Sequence, residues 1–256
     1  FVDETFTLQP AWLEEFCEEL DRRNLRLSWG CLSRIDTMEE RLLARMKRSG
    51  LYQVDIGVES GSDRILSYYR KTYRQKDILA AAAMIKRVGV RCFTSFILGA
   101  PEETAEDVAQ TEYVIRAIKP DHLSVGILTP YPGSALYEQV LRENLLAHPG
   151  VPFNDNWAHK FTRLPLLKTV LPPDELLRTA KRIEKSVFWR NYRYIIFSFL
   201  VRPRYLLRLF IFFRHPGSFL GIVGRALRHR RPRRFFEDLF QLYNFTLRKS
   251  CGTGRR

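Results

Sequence analysis

The chain has 256 residues, 45% of them apolar and 27% charged, enough to bury a sizeable core in one large domain with an extension. Cys17, Cys31, Cys92 and Cys251 are widely spaced, which excludes a disulfide framework and a sequence-encoded zinc site and suits a reducing cytoplasm. The net charge of +14 is uneven: residues 1–159 carry 19 basic against 23 acidic side chains, and residues 160–256 carry 23 against 5.

The N-terminal residues, FVDETF, read as the end of a strand. They lack the basic and apolar regions of a secretory signal, and the absence of Met implies a piece of a longer protein. Residues 9–24 form a helix in this reading, with Trp12, Phe16 and Leu20 at helical spacing and Pro10 in the first turn. LRLSWGCLS (25–33) reads as a strand. Thr37 and Glu40 match a capping box that opens a helix ending at Gly50. Strand 52–58, helix 75–89 and strand 90–98 follow. Thr104 and Asp107 open a helix reaching Ile118, and 122–128 is a further strand. MKRSG (46–50) and IKRVG (85–89) form a faint repeat, each closing a helix with a left-handed Gly before a strand. This alternation predicts a parallel sheet with outer helices, in a barrel or partial barrel. A doubly wound sheet is the rival, disfavoured because no G-x-G-x-x-G follows a strand.

In such a barrel, ligands meet the C-terminal ends of the strands. Those ends carry Asp3 and Glu4, then Ser33 and Arg34, then Glu59 with Ser60-Gly61-Ser62, then Gly99 to Glu102, and finally Pro130 to Gly133. Glu59 alone is as well explained as a helix cap; five polar ends in succession argue for a site. Acidic and basic groups on neighbouring strands suit a zwitterionic amino acid, carboxylates suit ribose diols, and Gly-rich turns admit a flat base. Together these describe S-adenosylmethionine (SAM).

The ordered set FVDETF, CLSRID, MKRSGLYQVDIGVESGS, Lys71, FILGAPEET and PYPGSALY resembles the radical SAM enzymes, in the branch with cobalamin-binding relatives, over residues 1–145. The resemblance implies an α/β fold: a partial (βα)6 TIM-like barrel of which this chain supplies strands two to six, followed by a helical extension over 146–256. It further implies that Asp3 and Glu4 neighbour the SAM amino group, that Arg34 lies near SAM and substrate, and that Glu59 faces the ribose, with Ser60 beside it. Lys71 would meet the SAM carboxylate, although a solvated surface lysine fits its basic surroundings equally well. Phe96 to Gly99 and Tyr131 to Gly133 would border the adenine.

One departure is large. The family's 4Fe–4S cluster is held by a C-x3-C-x2-C loop, and no cysteines here have that spacing. The loop is expected upstream of Phe1, and the chain alone is expected to be inactive. The complete enzyme would cleave SAM reductively to a 5′-deoxyadenosyl radical, for hydrogen abstraction or cobalamin-assisted methyl transfer, with an electron-donor protein. The alternative is an inactive barrel remnant serving as a binding or membrane-associated module. In the tail, arginines interrupt the apolar run 187–213, and residues 225–234 hold six arginines in ten. No run is long enough to span a bilayer. A helical cap on the barrel is the plainest reading. Contact with an anionic membrane at its inner face, with a lipid-like substrate, is the second, and nucleic acid the third.

Overall fold

The computed structural model describes residues 1–147 and 165–201. The basic runs beyond 201, with the amphipathic stretch 235–249 and Cys251, lie outside the described residues. The chain divides into two compact units, Phe1–Asn191 and Tyr192–Arg256.

In the first unit, helices and strands alternate as α1 (Pro10–Arg22), β1 (Trp29–Ser33), α2 (Glu40–Arg48), β2 (Leu51–Glu59), α3 (Asp63–Tyr68), α4 (Gln75–Val88), β3 (Arg91–Leu98), α5 (Ala105–Ile118), β4 (His122–Ile127) and α6 (Ala135–Arg142). The sheet is wholly parallel, in the order β1-β2-β3-β4. A last helix, α7 (Pro173–Val201), begins in this unit. This is the expected partial barrel, with a helical extension after it.

Burial alternates along β1 and β3 and along most of β2 and β4, so one sheet face packs on helices while the other stays half-open. The packed face meets apolar stripes at helical spacing: Leu42, Leu43 and Met46 of α2, Ile78, Ala82 and Ile85 of α4, and Leu176, Ala180, Ile183 and Val187 of α7. The expected extension therefore begins by packing into the core. Both glycines of the repeat are left-handed, Gly50 at φ 103° and Gly89 at φ 73°. A side chain at Gly50 would also place a Cβ 1.9 Å from the Leu27 carbonyl oxygen.

Three local expectations need correction. FVDETF is not a strand: the Phe1 ammonium donates to Gly30 O at 2.8 Å and Phe6 N to Leu32 O at 3.0 Å, but residues 4–7 turn away. The strand expected at 25–33 starts only at Trp29. Thr37 and Glu40 form no capping box, because a 3-10 turn (Ile35–Thr37) intervenes and α2 begins at Glu40. The Thr37 hydroxyl instead donates to Arg34 O at 3.2 Å and lies 2.6 Å from that of Thr7.

Candidate functional site

The half-open face is lined along β2 by Gln53, Asp55, Gly57 and Glu59, with Ser95 beside Gly57 and Ser124 beside Ser95 in the ladders. β2 ends irregularly. Its register with β3 shifts between Gly57 and Glu59, and Glu59 adopts φ 66°, a left-handed conformation that favours glycine. Its side chain folds back over the strand: a Cβ added at Gly57 would lie 2.8 Å from Glu59 Oε1 and 3.8 Å from Ser95 Oγ. Gly57 is therefore the floor on which the carboxylate rests.

Glu59 does not cap α3. That role belongs to Ser62, whose Oγ accepts from Ile65 N and donates to Asp107 Oδ1 at 2.6 Å. At the other end of α3, Arg70 turns left-handed (φ 55°) and Lys71 N donates to Leu66 O at 2.9 Å. This reversal returns the chain toward β2, where Lys71 Nζ donates to Glu59 Oε1 at 3.0 Å. Both side chains are about four-fifths buried, at 22% and 18% exposure, so solvent screens the pair only partly. Lys71 Nζ also lies 5.9 Å from the centroid of the Tyr73 ring.

The turn after α3 is tied down at its next two residues as well. Thr72 Oγ1 donates to Asp36 Oδ2 at 2.5 Å, and Tyr73 Oη donates to Gly57 O at 2.8 Å. Asp36 in turn holds Arg34 through a two-pronged pair, Nε–Oδ1 at 2.9 Å and Nη2–Oδ2 at 2.7 Å. The guanidinium beside it holds the Asp36 carboxyl down at about 2. Burial, followed by the Glu59 charge, pushes the Tyr73 phenol up, so it stays a neutral donor.

Behind the rim, the turn between β2 and α3 is built into α5. Ser60 is fully buried, with its hydroxyl 3.1 Å from that of Thr111, and Gly61 N donates to Thr111 Oγ1 at 2.9 Å. Asp107 collects Ser62, Arg64 and Thr104. Burial alone would raise its pKa, but these hydrogen bonds outweigh burial and hold the carboxyl well below the usual range. Gly99 N donates to Glu103 Oε2 at 2.6 Å. Glu103 is 1% exposed, its Oε1 has no partner, and burial pushes its pKa up to about 7.

The structure thus brings Arg34, Glu59 and Lys71 into one region, linked by Asp36, Gly57 and Tyr73, none of which carried a role in the sequence reading. Asp36 closes the CLSRID motif two residues after Arg34, and Tyr73 stands two residues after Lys71. Ser60 is turned into α5 rather than onto the open face. Asp3 and Glu4 are exposed on the N-terminal turn. Gly99 is buried at φ 93° in the turn after β3, and Tyr131 is 43% exposed just after β4. The Tyr131 carbonyl accepts from Ser134 N and Oγ at the start of α6.

An acceptor pair beside a cation suits ribose hydroxyls and an α-carboxylate, so this chemistry fits SAM. Among the described residues the cysteines do not fit an iron–sulfur cluster. Cys17, Cys31 and Cys92 are buried in the core, and burial pushes the thiols of Cys31 and Cys92 up to about 12. Among the described residues no three His, Cys, Asp or Glu side chains group as metal ligands.

Residues 1–112, which hold Arg34, Asp36, Glu59, Lys71 and Tyr73, match the Radical SAM superfamily. The chain resembles that superfamily over this stretch. It is 32% identical over 229 residues to an uncharacterised methyltransferase of Pyrococcus horikoshii, a match covering 89% of this chain and 45% of that protein. It is 31% identical over 141 residues to an anaerobic magnesium-protoporphyrin IX monomethyl ester cyclase of Rubrivivax gelatinosus, covering 54% and 25%. The fold is similar to that of the radical SAM methyltransferase TsrM from Kitasatospora setae, whose structure has cobalamin and a 4Fe–4S cluster bound. The TM-score is 0.50 at 17% identity, covering 66% of this chain and 32% of that one. This chain spans less than half the length of each of these three proteins.

Proposed function

We propose that this chain supplies the SAM-binding part of a radical SAM enzyme, with residues 1–145 as the binding body and 146–256 as its extension. The observation that carries the reading is the Glu59–Lys71 pair, 3.0 Å apart on the half-open face at a strand end. Glu59 accepts the ribose hydroxyls, while Lys71, with two further N–H donors, takes the ligand carboxylate together with Arg34. Gly99 and Tyr131 flank the base from the turns after β3 and β4, and Asp3 and Glu4 approach the amino group from the N-terminal turn. A remnant barrel serving only as a scaffold gives no reason to hold a glutamate at φ 66°, because such a conformation costs about 1–3 kcal/mol.

Reductive cleavage of SAM belongs to the intact protein, with an electron donor and with cluster ligands that this chain's cysteines do not supply. The name of the Pyrococcus relative, an uncharacterised methyltransferase, favours methyl transfer over hydrogen abstraction. The three buried, unpaired thiols suit a reducing cytoplasm. Among the described residues no helix is long and apolar enough to cross a membrane.

The test is calorimetric titration of the intact protein with S-adenosylhomocysteine. Saturable binding that is lost in Glu59→Ala and Lys71→Ala supports the reading. Binding that both variants retain refutes it.

A further inference from the structure

Three consecutive side chains after α3 reach three different points of the rim: Lys71 to the Glu59 carboxylate, Thr72 to Asp36, and Tyr73 to the Gly57 carbonyl. The first and last of these grip β2. The middle one grips the Ile35–Thr37 turn that follows β1, and Asp36 is where the two cation-bearing segments meet. Its Oδ2 accepts from Arg34 Nη2 at 2.7 Å and from Thr72 Oγ1 at 2.5 Å, while Oδ1 accepts from Arg34 Nε at 2.9 Å. One carboxylate therefore fixes both the guanidinium of Arg34 and the residue next to Lys71.

Folding energy does not explain this arrangement. Arg34 is 44% exposed, and an ion pair between residues two apart near the surface contributes little to stability. Its effect is geometric. Arg34 is a long side chain that solvent would otherwise leave free, and Lys71 ends a short turn whose neighbour would lose its anchor.

We propose that Asp36 is a positioning residue that locks Arg34 and the Lys71 turn into a single cationic clamp for the carboxylate of an amino-acid-bearing ligand. The proposal rests on the SAM reading above and goes beyond it in assigning the clamp's geometry to a residue that need not touch the ligand. Ordering one or two rotamer-rich side chains in advance is worth about tenfold in affinity.

The discriminating pair of probes is S-adenosylhomocysteine, which carries the amino-acid group, and 5′-methylthioadenosine, which lacks it. The intact protein is titrated with each. Asp36→Asn is expected to weaken S-adenosylhomocysteine binding about tenfold. Thr72→Val, which removes only the hydroxyl contact, is expected to weaken it about threefold. Neither variant should change the affinity for 5′-methylthioadenosine. A residue that merely supports the fold would weaken both probes together. Equal losses for the two probes, or unchanged S-adenosylhomocysteine binding in both variants, overturn the proposal. Wild-type protein that binds neither probe overturns the SAM reading itself, a failure visible before any variant is made.

Discussion

Gly57 and Gly61 stand four residues apart, and the same substitution should act on them in opposite ways. At Gly57 a new methyl would meet Glu59 Oε1 at 2.8 Å, well inside ordinary contact, but that atom ends a flexible side chain. The strand can stay while the carboxylate swings off its floor and away from Lys71. The fold then loses one charge-assisted hydrogen bond, worth about 1.5–3 kcal/mol at most and less where the freed groups reach water. The ligand loses its acceptor, and a displaced carboxylate should weaken S-adenosylhomocysteine about 10- to 100-fold, or about 1.4–2.8 kcal/mol. At Gly61 the methyl would lie 2.6 Å from the Gln110 carbonyl oxygen and 2.6 Å from the Thr111 Cα, both backbone atoms of α5. Two main-chain segments must part there, at a cost of about 3 kcal/mol or more, which lowers Tm by roughly 6–12 °C in a domain this size. Calorimetric titration and thermal melting of Gly57→Ala and Gly61→Ala in the intact protein separate the two effects. Undiminished binding in Gly57→Ala would show that the carboxylate's seat over Gly57 has no part in the site.

The left-handed backbone of Glu59 should show as a stability difference between two variants that both lack the carboxylate. Glu59→Gly is expected to melt higher than Glu59→Ala by about 1 kcal/mol, with equal loss of ligand affinity, as read by paired thermal melts and titrations. Burial moves the Glu103 carboxyl from its ordinary range up to about 7, so the folded state binds more protons than the unfolded chain between about pH 4.5 and 7. Stability should therefore fall as pH rises through that window, by about 3 kcal/mol, and Glu103→Gln should remove most of the slope; urea midpoints at pH 5 and pH 8 for both proteins test it. Asp107→Ala leaves Ser62, Thr104 and Arg64 without their common acceptor and should cost about 3–5 kcal/mol in urea unfolding.

Hydrophobic period carried most of the architecture in the sequence. The helices at 75–88 and 105–118 and the strands at 51–59 and 91–98 lie close to where their patterns placed them, and Thr104 caps α5 through the capping box its spacing announced. Failures came where a local pattern had a competing partner. Thr37 and Glu40 have capping-box spacing, but Thr37 is drawn to the Arg34 carbonyl and to Thr7, a partner 30 residues away that no local window contains. FVDETF has strand-like residues, yet only two hydrogen bonds tie it to β1 before it turns. At the site, the resemblance named Glu59 and Lys71 separately, whereas their direct contact had no sequence signal. The contact depends on the left-handed turn at Arg70, a conformation that a bulky cationic residue does not advertise. Ser60 looked like part of the rim because it adjoins Glu59, but strand neighbours face opposite sides, and it went to α5.

The attachment of the Ser60–Ser62 turn to α5 bears on protein engineering. Two of the four polar side chains in DIGVESGS and one of its backbone amides are completed by side chains of α5, with Thr111 serving Ser60 and Gly61 and Asp107 serving Ser62. The octapeptide is therefore not a portable cassette. Grafted onto another parallel sheet, it would arrive with buried hydroxyls and amides seeking partners, unless the host helix brought a Thr and an Asp four residues apart and allowed backbone contact at the glycine. In a chimera of two related barrels, a crossover between β2 and α5 would divide this unit, whereas one after α5 would carry it intact.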